Sequence, residues 1–394
     1  MRLDAGKWRN RRGMAKLLDA LGAGEGLTRY VGGAVRDDLL GLPVSDIDLA
    51  TRIRPEEVVD RLKKAGIKAV PTGIEHGTIT AVSDGQVVEV TSLRRDVATD
   101  GRRATIAYTD DWEEDAARRD FTINALLADP GDGTIHDYFG GLPDLKERHI
   151  RFIGDPLERI SEDHLRILRF FRFHARYGRG EPDSAALEAC TARANDLMAL
   201  SRERIADELL KLLALDDPAP TVATMLDRRI LVPVLPEIQM ERLADLKALI
   251  VAEKEAQVSA DPLRRLAALL PADEGIAGRV ATRLRLSNKA RKRLQAAAVR
   301  DLSSSPQALG YWLGVPAAVD RLLLAGKPRD AAAIADWIPP RLPIGGTGLM
   351  ARGLPEGPVI ARTLRAIEAR WVDAGFPSGP AFDTIVELGL AEAR

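Results

Sequence analysis

Apolar and polar positions follow two rhythms along this chain, and the change falls near residue 150. Before it, short β-branched runs alternate with glycine and acidic turns. "LTRYVGGAV" predicts a strand running into a glycine turn, and "SDIDLAT" a second strand. "RPEEVVDRLKKAG" predicts a helix with Pro55 near its start. "GTITAVS" and "VVEVTSLR" predict two further strands, and Asp84-Gly85 between them is a hairpin signal. From Asp96 to Asp110 there is little period, so a loop is expected. "WEEDAARRDFTINALLAD" reads as helix, and "GTIHDYFGGLPDL" as strand and turn. After 151 the period becomes helical: "SEDHLRILRFFRFHARYG", "SAALEACTARANDLMAL", "SRERIADELLKLLAL" and "LRRLAALL" all follow it. Ser161 and Ser201 are the expected N-caps.

One helical stretch is unusual. In "EDHLRILRFFRF" the apolar residues Leu165, Ile167, Leu168, Phe170, Phe171 and Phe173 spread around most of the helical circumference. Such a helix is buried. It also carries Glu162, Asp163, Arg166, Arg169 and Arg172, and buried charges need partners.

The chain has 394 residues, 45% hydrophobic and 29% charged, with net charge −1. It is long enough for several domains and a sizeable core. The charge balance does not announce a nucleic-acid partner, although a local basic stripe would suffice. A single cysteine, Cys190, excludes a disulfide framework and a cysteine metal site. It fits a reducing, cytoplasmic setting. No apolar run reaches membrane-span length, so no membrane is expected. The basic start "KWRNRRGMAKLLDAL" predicts an amphipathic helix, not a signal peptide. All five histidines lie at or before His174, so the C-terminal half cannot build a histidine metal site.

Candidate chemistry concentrates in the first half. Strand residues two apart face the same way, so Asp46 and Asp48 place two carboxylates on one face, with Ile47 turned to the core. Paired hard oxygen ligands suit Mg²⁺ together with substrate phosphates. Gly32 and Gly33 let backbone approach a ligand, and Arg36 follows within one turn. Glu89, a charge amid β-branched residues, reads as a third carboxylate or as an edge-strand charge facing water. Arg118, Arg119 and Asp120 read as a salt-bridged helix start or as arginines aimed at phosphate.

Taken in order, "GGAVRDDLLGLPVSDIDLAT", "PTGIEHGTITAV", "RRDFTINAL", "DYFGGLPDL", "EDHLRILRFFRF" and "SRERIADEL" resemble the motifs of the class II CCA-adding tRNA nucleotidyltransferase and bacterial poly(A) polymerase family. The resemblance covers roughly 28 to 210. It implies an α/β (α+β) nucleotidyltransferase head with a small mixed sheet, followed by an all-α neck, body and tail. The expected boundaries are 1–150 for the head, 151–215 for the neck, 216–300 for the body and 301–394 for the tail. It implies addition of C, C and A to the 3′ end of tRNA from CTP and ATP, with Mg²⁺ and release of pyrophosphate. Asp46 and Asp48 match the metal carboxylates, with Glu89 as a third catalytic candidate. Gly32, Gly33, Arg36, Arg119, Asp163, Arg166, Arg169 and Arg172 match nucleotide-side positions. Asp163 and Arg166 would pair with the base, and Glu162 would orient Arg166. Ser201, Glu203 and Arg204 would brace that helix. The segment from Arg94 to Tyr108 matches a mobile one, with Asp96, Arg102 and Arg103 as candidates for switching between C and A addition.

RNA contact is expected from the helical part. Arg283, Arg285, Lys289, Arg291, Lys292, Arg293 and Arg300 form a candidate phosphate stripe or a solvated helix face. The competing enzyme readings are a poly(A) polymerase and a CC-adding or A-adding specialist. The competing class is a non-catalytic RNA-binding protein.

Overall fold

The computed structural model describes residues 2–3, 8–100 and 103–393. The chain divides into two compact units, Met1–Ser201 with Arg228–Pro233, and Arg202–Asp227 with Val234–Arg394.

The first unit is built on a mixed sheet. Its strands are β1 (Thr28–Val31), β2 (Asp48–Thr51), β3 (Lys68–Gly73), β4 (Thr78–Ser83) and β5 (Gln86–Ser92). Then come β6 (Arg94–Asp100), β7 (Arg103–Tyr108), β8 (Leu127–Ala128) and β9 (Ile135–His136). The order is β3-β4-β5-β2-β1-β8-β9, while β6 and β7 pair separately. Among the described strands only β2 and β5 pair in parallel, which puts Asp48 beside Glu89. Glu89 also faces Thr80 on β4. Glu89 is therefore on an inner strand, and the edge-strand alternative is excluded. Asp84 and Gly85, both at positive φ, make the expected tight turn between β4 and β5.

The unit's helices are α1 (Met14–Ala20), α2 (Gly33–Leu39), α3 (Pro55–Lys64), α4 (Trp112–Ala117), α5 (Gly141–Glu147), α6 (Pro156–Glu162), α7 (Arg166–Tyr177) and α8 (Ser184–Ala192). One sheet face buries Leu49, Ile79, Ala81, Val88 and Val90, and α1 and α3 pack on β4 with Met14, Leu17, Val58 and Leu62 buried. The other face is covered by Trp112 and Ala116 of α4, which pack with Val31, Ala50 and Leu127. Glu89 on that side stays exposed.

Five expectations change. The segment 94–108 is a hairpin, β6–β7, because backbone pairing needs no hydrophobic period. Its Asp96 and Arg103 side chains, and Arg102, lie outside the described residues. The helix in "WEEDAARRDFTINALLAD" stops at Ala117; a short 3₁₀ turn (Thr122–Asn124) and β8 follow, since β8 pairs with β1. The turn after β9 is the helix α5. The stretch "EDHLRILRFFRF" is not one helix. α6 ends at Glu162, Asp163 is extended (φ −150°, ψ 105°), and α7 begins at Arg166. Asp155, not Ser161, caps α6, accepting from Glu158 N at 3.0 Å. Ser161 Oγ donates instead to Glu158 O at 2.7 Å within the helix.

The expectation that this stretch is buried holds for its apolar residues. Phe121 sits 5.0 Å from both Phe152 and Phe173, and Phe152 stacks on Phe170 at 5.7 Å. These rings fasten α7 to the chain around residue 121. Aromatic pairs of this kind contribute about 0.5–1.5 kcal/mol each beyond area burial.

The second unit is helical from Arg202–Leu213 to Pro380–Ala393. An ion network crosses its core. Arg264 donates to Glu253 at 2.7 Å and Asp320 at 2.8 Å, and Arg265 donates to Glu253 at 2.9 Å. Arg265 also donates to Leu213 O at 2.8 Å, near the end of Arg202–Leu213, where carbonyls lack helical partners. Arg264, Arg265, Glu253 and Asp320 are all buried. Removing one member strands a buried charge. Arg265→Ala is expected to lower the stability of the second unit by about 3–5 kcal/mol. Chemical denaturation checks it; a loss below about 1 kcal/mol would mean that Glu253 is satisfied without Arg265. Farther on, Leu349, Leu354, Ile367, Trp371, Val386 and Leu390 close a separate apolar cluster.

Candidate functional site

A cavity of about 400 Å³ opens in the first unit, lined by Gly32, Gly33, Arg36, Asp48, Arg118, Arg119, Asp120, Asn124, Asp163, Arg166, Arg169 and Phe173. The first wall comes from β1 and α2. Gly32 has φ +67° and ψ −121°, which a side chain would not tolerate. A Cβ there would point toward Asn124 O at 3.6 Å and Arg119 Nη1 at 3.8 Å. The turn needs glycine for its backbone and leaves the wall bare.

Asp48 opens β2 on the cavity floor. Burial and the neighbouring Glu89 push its carboxyl up to about 6, Arg119 opposing and Asp46 adding to the rise. Asp46 lies just ahead of the strand, exposed, and accepts from Ser45 Oγ at 3.0 Å. Ile47 between them is buried, as the alternation required. Glu89 and Asp46 both raise the proton affinity of Asp48, so its carboxylate is short of cations. Oxygen donors suit a divalent ion, but among the described residues no three ligating side chains gather closely enough to hold one unaided, so substrate phosphates must complete the shell. Asp46 and Glu89 do not line the cavity itself; they flank Asp48 along the chain and across the sheet.

The sign of this repulsion sets a pH dependence. A carboxyl with a raised folded-state pKa binds its proton more tightly folded than unfolded. Stability then falls as pH rises from about 4 to about 6, and the loss persists above that. Without divalent ions, Asp48→Asn is expected to stabilise the protein above pH 6 by up to about 3 kcal/mol and to flatten that slope. Thermal unfolding in chelator from pH 4.5 to 8 reads this. An Asp48→Asn profile parallel to wild type would mean that Asp48 is not strained.

The second wall is cationic. Arg118 donates to Asp115 Oδ1 at 2.8 Å, and Arg119 to Asp115 Oδ2 at 2.9 Å. Burial opposes ionisation of Asp115, but the two arginines outweigh it and hold the carboxyl below its ordinary range. Burial and the adjacent Arg119 bring Arg118 down to about 10, with Asp115 pulling the other way. Arg118 therefore stays charged at neutral pH. Asp115 also accepts from the backbone N–H of Arg94, where β6 begins, at 3.2 Å.

The third wall is the α6–α7 junction. Asp163 Oδ1 accepts from Leu165 N at 3.1 Å. Arg166 donates to Glu162 Oε2 at 2.5 Å, Arg159 O at 3.0 Å and Arg118 O at 3.0 Å. Three of its five N–H groups are thereby used. Glu162, itself held by Arg159 at 2.5 Å, orients Arg166. Arg169 donates to Asp120 Oδ2 at 2.8 Å through Nε. Burial disfavours the Asp120 anion, but Arg169, Asn124 and the Phe121 N–H overcome this and lower its pKa.

Two expected residues sit differently. Arg36 is buried and braced: it donates to Asn124 at 2.5 Å and Tyr177 OH at 2.6 Å, with its guanidinium 4.1 Å from the Tyr177 ring centre. Arg172 lies 4.7 Å from the Phe173 ring centre and does not line the cavity. Asn124, Asp115 and Tyr177 join the site without having been anticipated. Only Asn124 carried a signal, a lone amide inside the apolar run "FTINALL".

In the second unit the basic stretch is largely neutralised from within. Arg283 pairs with Glu237 at 2.7 Å, Arg285 with Glu203 at 2.7 Å and Arg300 with Asp245 at 3.6 Å. Arg293 joins Asp320 at 2.6 Å and Asp261 at 2.8 Å. Lys289, Arg291 and Lys292 have no ion pair among the described residues, so the seven-residue stripe contracts to these three.

Residues 28–151 match the family model described as Poly A polymerase head domain. Residues 181–241 match the one described as Probable RNA and SrmB- binding site of polymerase A. The mitochondrial CCA tRNA nucleotidyltransferase 1 of Mus musculus is 33% identical over 371 residues, covering 88% of this chain and 83% of the relative. The solved CCA-adding enzyme of Bacillus stearothermophilus in complex with CTP is similar over 96% of this chain and 98% of that chain, with TM-score 0.75 and 24% identity. The Thermotoga maritima CCA-adding enzyme complexed with tRNA is similar over 100% and 99%, with TM-score 0.69 and 21% identity. At these identities the structural likeness is one of fold, and the fold is a mixed-sheet head followed by helices.

Proposed function

This chain belongs to the family of CCA tRNA nucleotidyltransferases and bacterial poly(A) polymerases, and from that membership we propose that it adds C, C and A to the 3′ end of tRNA without a template, using CTP and ATP. The observation that carries the reading is the single cavity in which carboxylate, bare glycine turn, arginine pair and Asp163–Arg166 junction face one another.

The reaction is in-line attack of the terminal ribose 3′-hydroxyl on the α-phosphorus, with pyrophosphate leaving. Asp46 and Asp48 would hold Mg²⁺ together with the substrate phosphates, with Glu89 beside them as the candidate third carboxylate; the ion when bound supplies charge neutralisation for the triphosphate and acidifies the attacking hydroxyl. Arg118 and Arg119, anchored by Asp115, face the phosphates. Gly32 and Gly33 keep the wall open to them. Asp163 and Arg166 read the base. Aspartate only accepts and arginine only donates. Cytosine presents an N4 donor beside the N3 acceptor, and adenine an N6 donor beside N1. One acceptor–donor edge suits both, whereas uracil and guanine present the reverse order. Arg36 and Arg169 hold the pocket wall, and Arg172 supports α7 beside Phe173.

We assign 1–150 to the catalytic head, 151–215 to the neck, 216–300 to the body and 301–394 to the tail. The lone thiol, Cys190, is buried, in keeping with a reducing, cytoplasmic compartment. No described helix is long and apolar enough to cross a membrane.

The test uses tRNA transcripts ending before CCA, after C and after CC, with Mg²⁺ and CTP, ATP, UTP or GTP. Expected products end in CCA and grow no further. Long A tracts on a generic RNA would instead identify a poly(A) polymerase, and no incorporation would leave a binding protein.

A further inference from the structure

A chain of hydrogen bonds crosses the pocket wall from α2 to α7, and its middle member is uncharged. Arg36 Nη1 donates to Asn124 Oδ1 at 2.5 Å. Asn124 Nδ2 donates to Asp120 Oδ1 at 2.9 Å. Asp120 Oδ2 accepts from Arg169 Nε at 2.8 Å and from Arg169 Nη2 at 2.6 Å. All four residues line the cavity, and Asn124 and Asp120 are each 8% exposed.

The order of these groups restricts what can stand between them. Arg36 has no acceptor to offer, and ionised Asp120 has no donor. The residue joining them must accept on one side and donate on the other. A carboxylate there would meet Asp120 with like charge, and an ammonium would meet Arg36 likewise. An amide satisfies both, and in one orientation only: reversing it sets N–H against guanidinium and oxygen against oxygen. The backbone fixes the amide's place, because Asn124 closes the short turn after Phe121 and donates its own N–H to Phe121 O at 2.9 Å. Phe121 in turn is held in the aromatic cluster.

We infer that Asn124 is a positioning residue for the incoming nucleotide, holding Arg36 directly and Arg169 through Asp120 against the pocket wall. The inference rests on the cavity being the nucleotide site. It assigns Asn124 no contact with the reacting atoms. Arg36 also donates to Asp37 Oδ1 at 2.8 Å, so without the amide it keeps Asp37 and Tyr177 as partners and turns toward them, while Asp120 loses one of its two side-chain donors.

The experiment measures steady-state addition with CTP and with ATP at saturating tRNA, then with tRNA varied, alongside thermal unfolding. Asn124→Ala is expected to raise KM for both nucleotides together by about tenfold, the scale of one lost hydrogen bond to a charged group. The KM for tRNA stays within about twofold. Arg36→Ala/Asn124→Ala should lose clearly less than the product of the two single losses, because part of the amide's effect passes through Arg36 and only the arm to Arg169 remains to be lost. Asn124→Asp should be worse than Asn124→Ala at pH 8, and Asp120→Asn/Asn124→Asp should recover at least about fivefold over it, since a donor again faces an acceptor. If Asn124→Asp does not fold, Asn124→Ser and the Arg36 double substitution carry the test. Additive effects of the two alanine substitutions would overturn the inference, as would no loss beyond Asn124→Ala in Asn124→Asp with no gain from the exchange. Equal rises in the nucleotide and tRNA KM would also overturn it. A wild-type chain that takes up neither CTP nor ATP would overturn the reading of the cavity, a failure distinct from unchanged kinetics in the Asn124 variants.

Discussion

Asp48→Ala is expected to lower nucleotide addition by about 10³-fold or more while tRNA binding stays within about twofold. The loss corresponds to at least about 4 kcal/mol of transition-state stabilisation, within what a metal-holding carboxylate supplies. The reason lies in the sheet register. Asp48 lines the cavity, with Asp46 two residues before it and Glu89 directly across the parallel pair. Its raised pKa, about 6, reflects burial beside Glu89 without enough local positive charge. Such a position is costly for the empty protein and useful only when a cation arrives. The measurement is single-turnover addition of C to a transcript lacking CCA, with tRNA binding by gel shift. Residual activity within about tenfold of wild type would remove Asp48 from the reaction. Asp46→Ala should behave alike, and Glu89→Ala should fall between it and wild type.

The second large effect concerns choice of base. Asp163→Ala should lower the preference for CTP and ATP over UTP and GTP by about 10–100-fold. The figure follows from about 1–3 kcal/mol per good base contact. Both preferred nucleotides should suffer together, since one acceptor serves N4 of cytosine and N6 of adenine. Competition assays with all four nucleotides decide it. Loss of CTP selectivity with ATP selectivity intact would show that the two bases are read by different groups. Glu162→Gln should give a milder form of the same defect, because Arg166 loses its charged anchor at 2.5 Å but keeps two backbone carbonyls.

Legibility in the sequence followed the range of the interactions. The place of Asp48 on the cavity was readable because alternation is local and Ile47 obeys it, whereas Asp46 lies ahead of the strand and off the cavity. The glycine turn was readable because Gly32 needs a backbone that only glycine adopts. Glu89 was ambiguous, since its meaning depends on a parallel pairing some forty residues away in sequence. The break at Asp163 was hidden because the apolar period continues through it; Leu165 and Ile167 are buried on both readings. The basic stretch stayed ambiguous for the opposite reason. Arg293 looks like its neighbours in sequence, yet two carboxylates from distant helices claim it. The hairpin β6–β7 was missed because polar residues and Asp100-Gly101 interrupt its short apolar alternation.

If Asp163 and Arg166 read the base as proposed, the joint between α6 and α7 makes that reader a caliper rather than a fixed gauge. Its one jaw, Arg166, is clamped by Glu162, Arg159 O and Arg118 O. Its other jaw, Asp163, stands on an extended residue between two helices, where ψ is not dictated by a helical lattice. A pyrimidine and a purine carry the same donor–acceptor order at different reaches from the sugar. In an unbroken helix the two side chains would keep one separation and favour one ring size. With a pivot at Asp163 the opening can change by a backbone rotation while the reading rule stays the same. On that reading two sizes of base would pass through one aperture, with the order of polar groups on their edges still the thing tested.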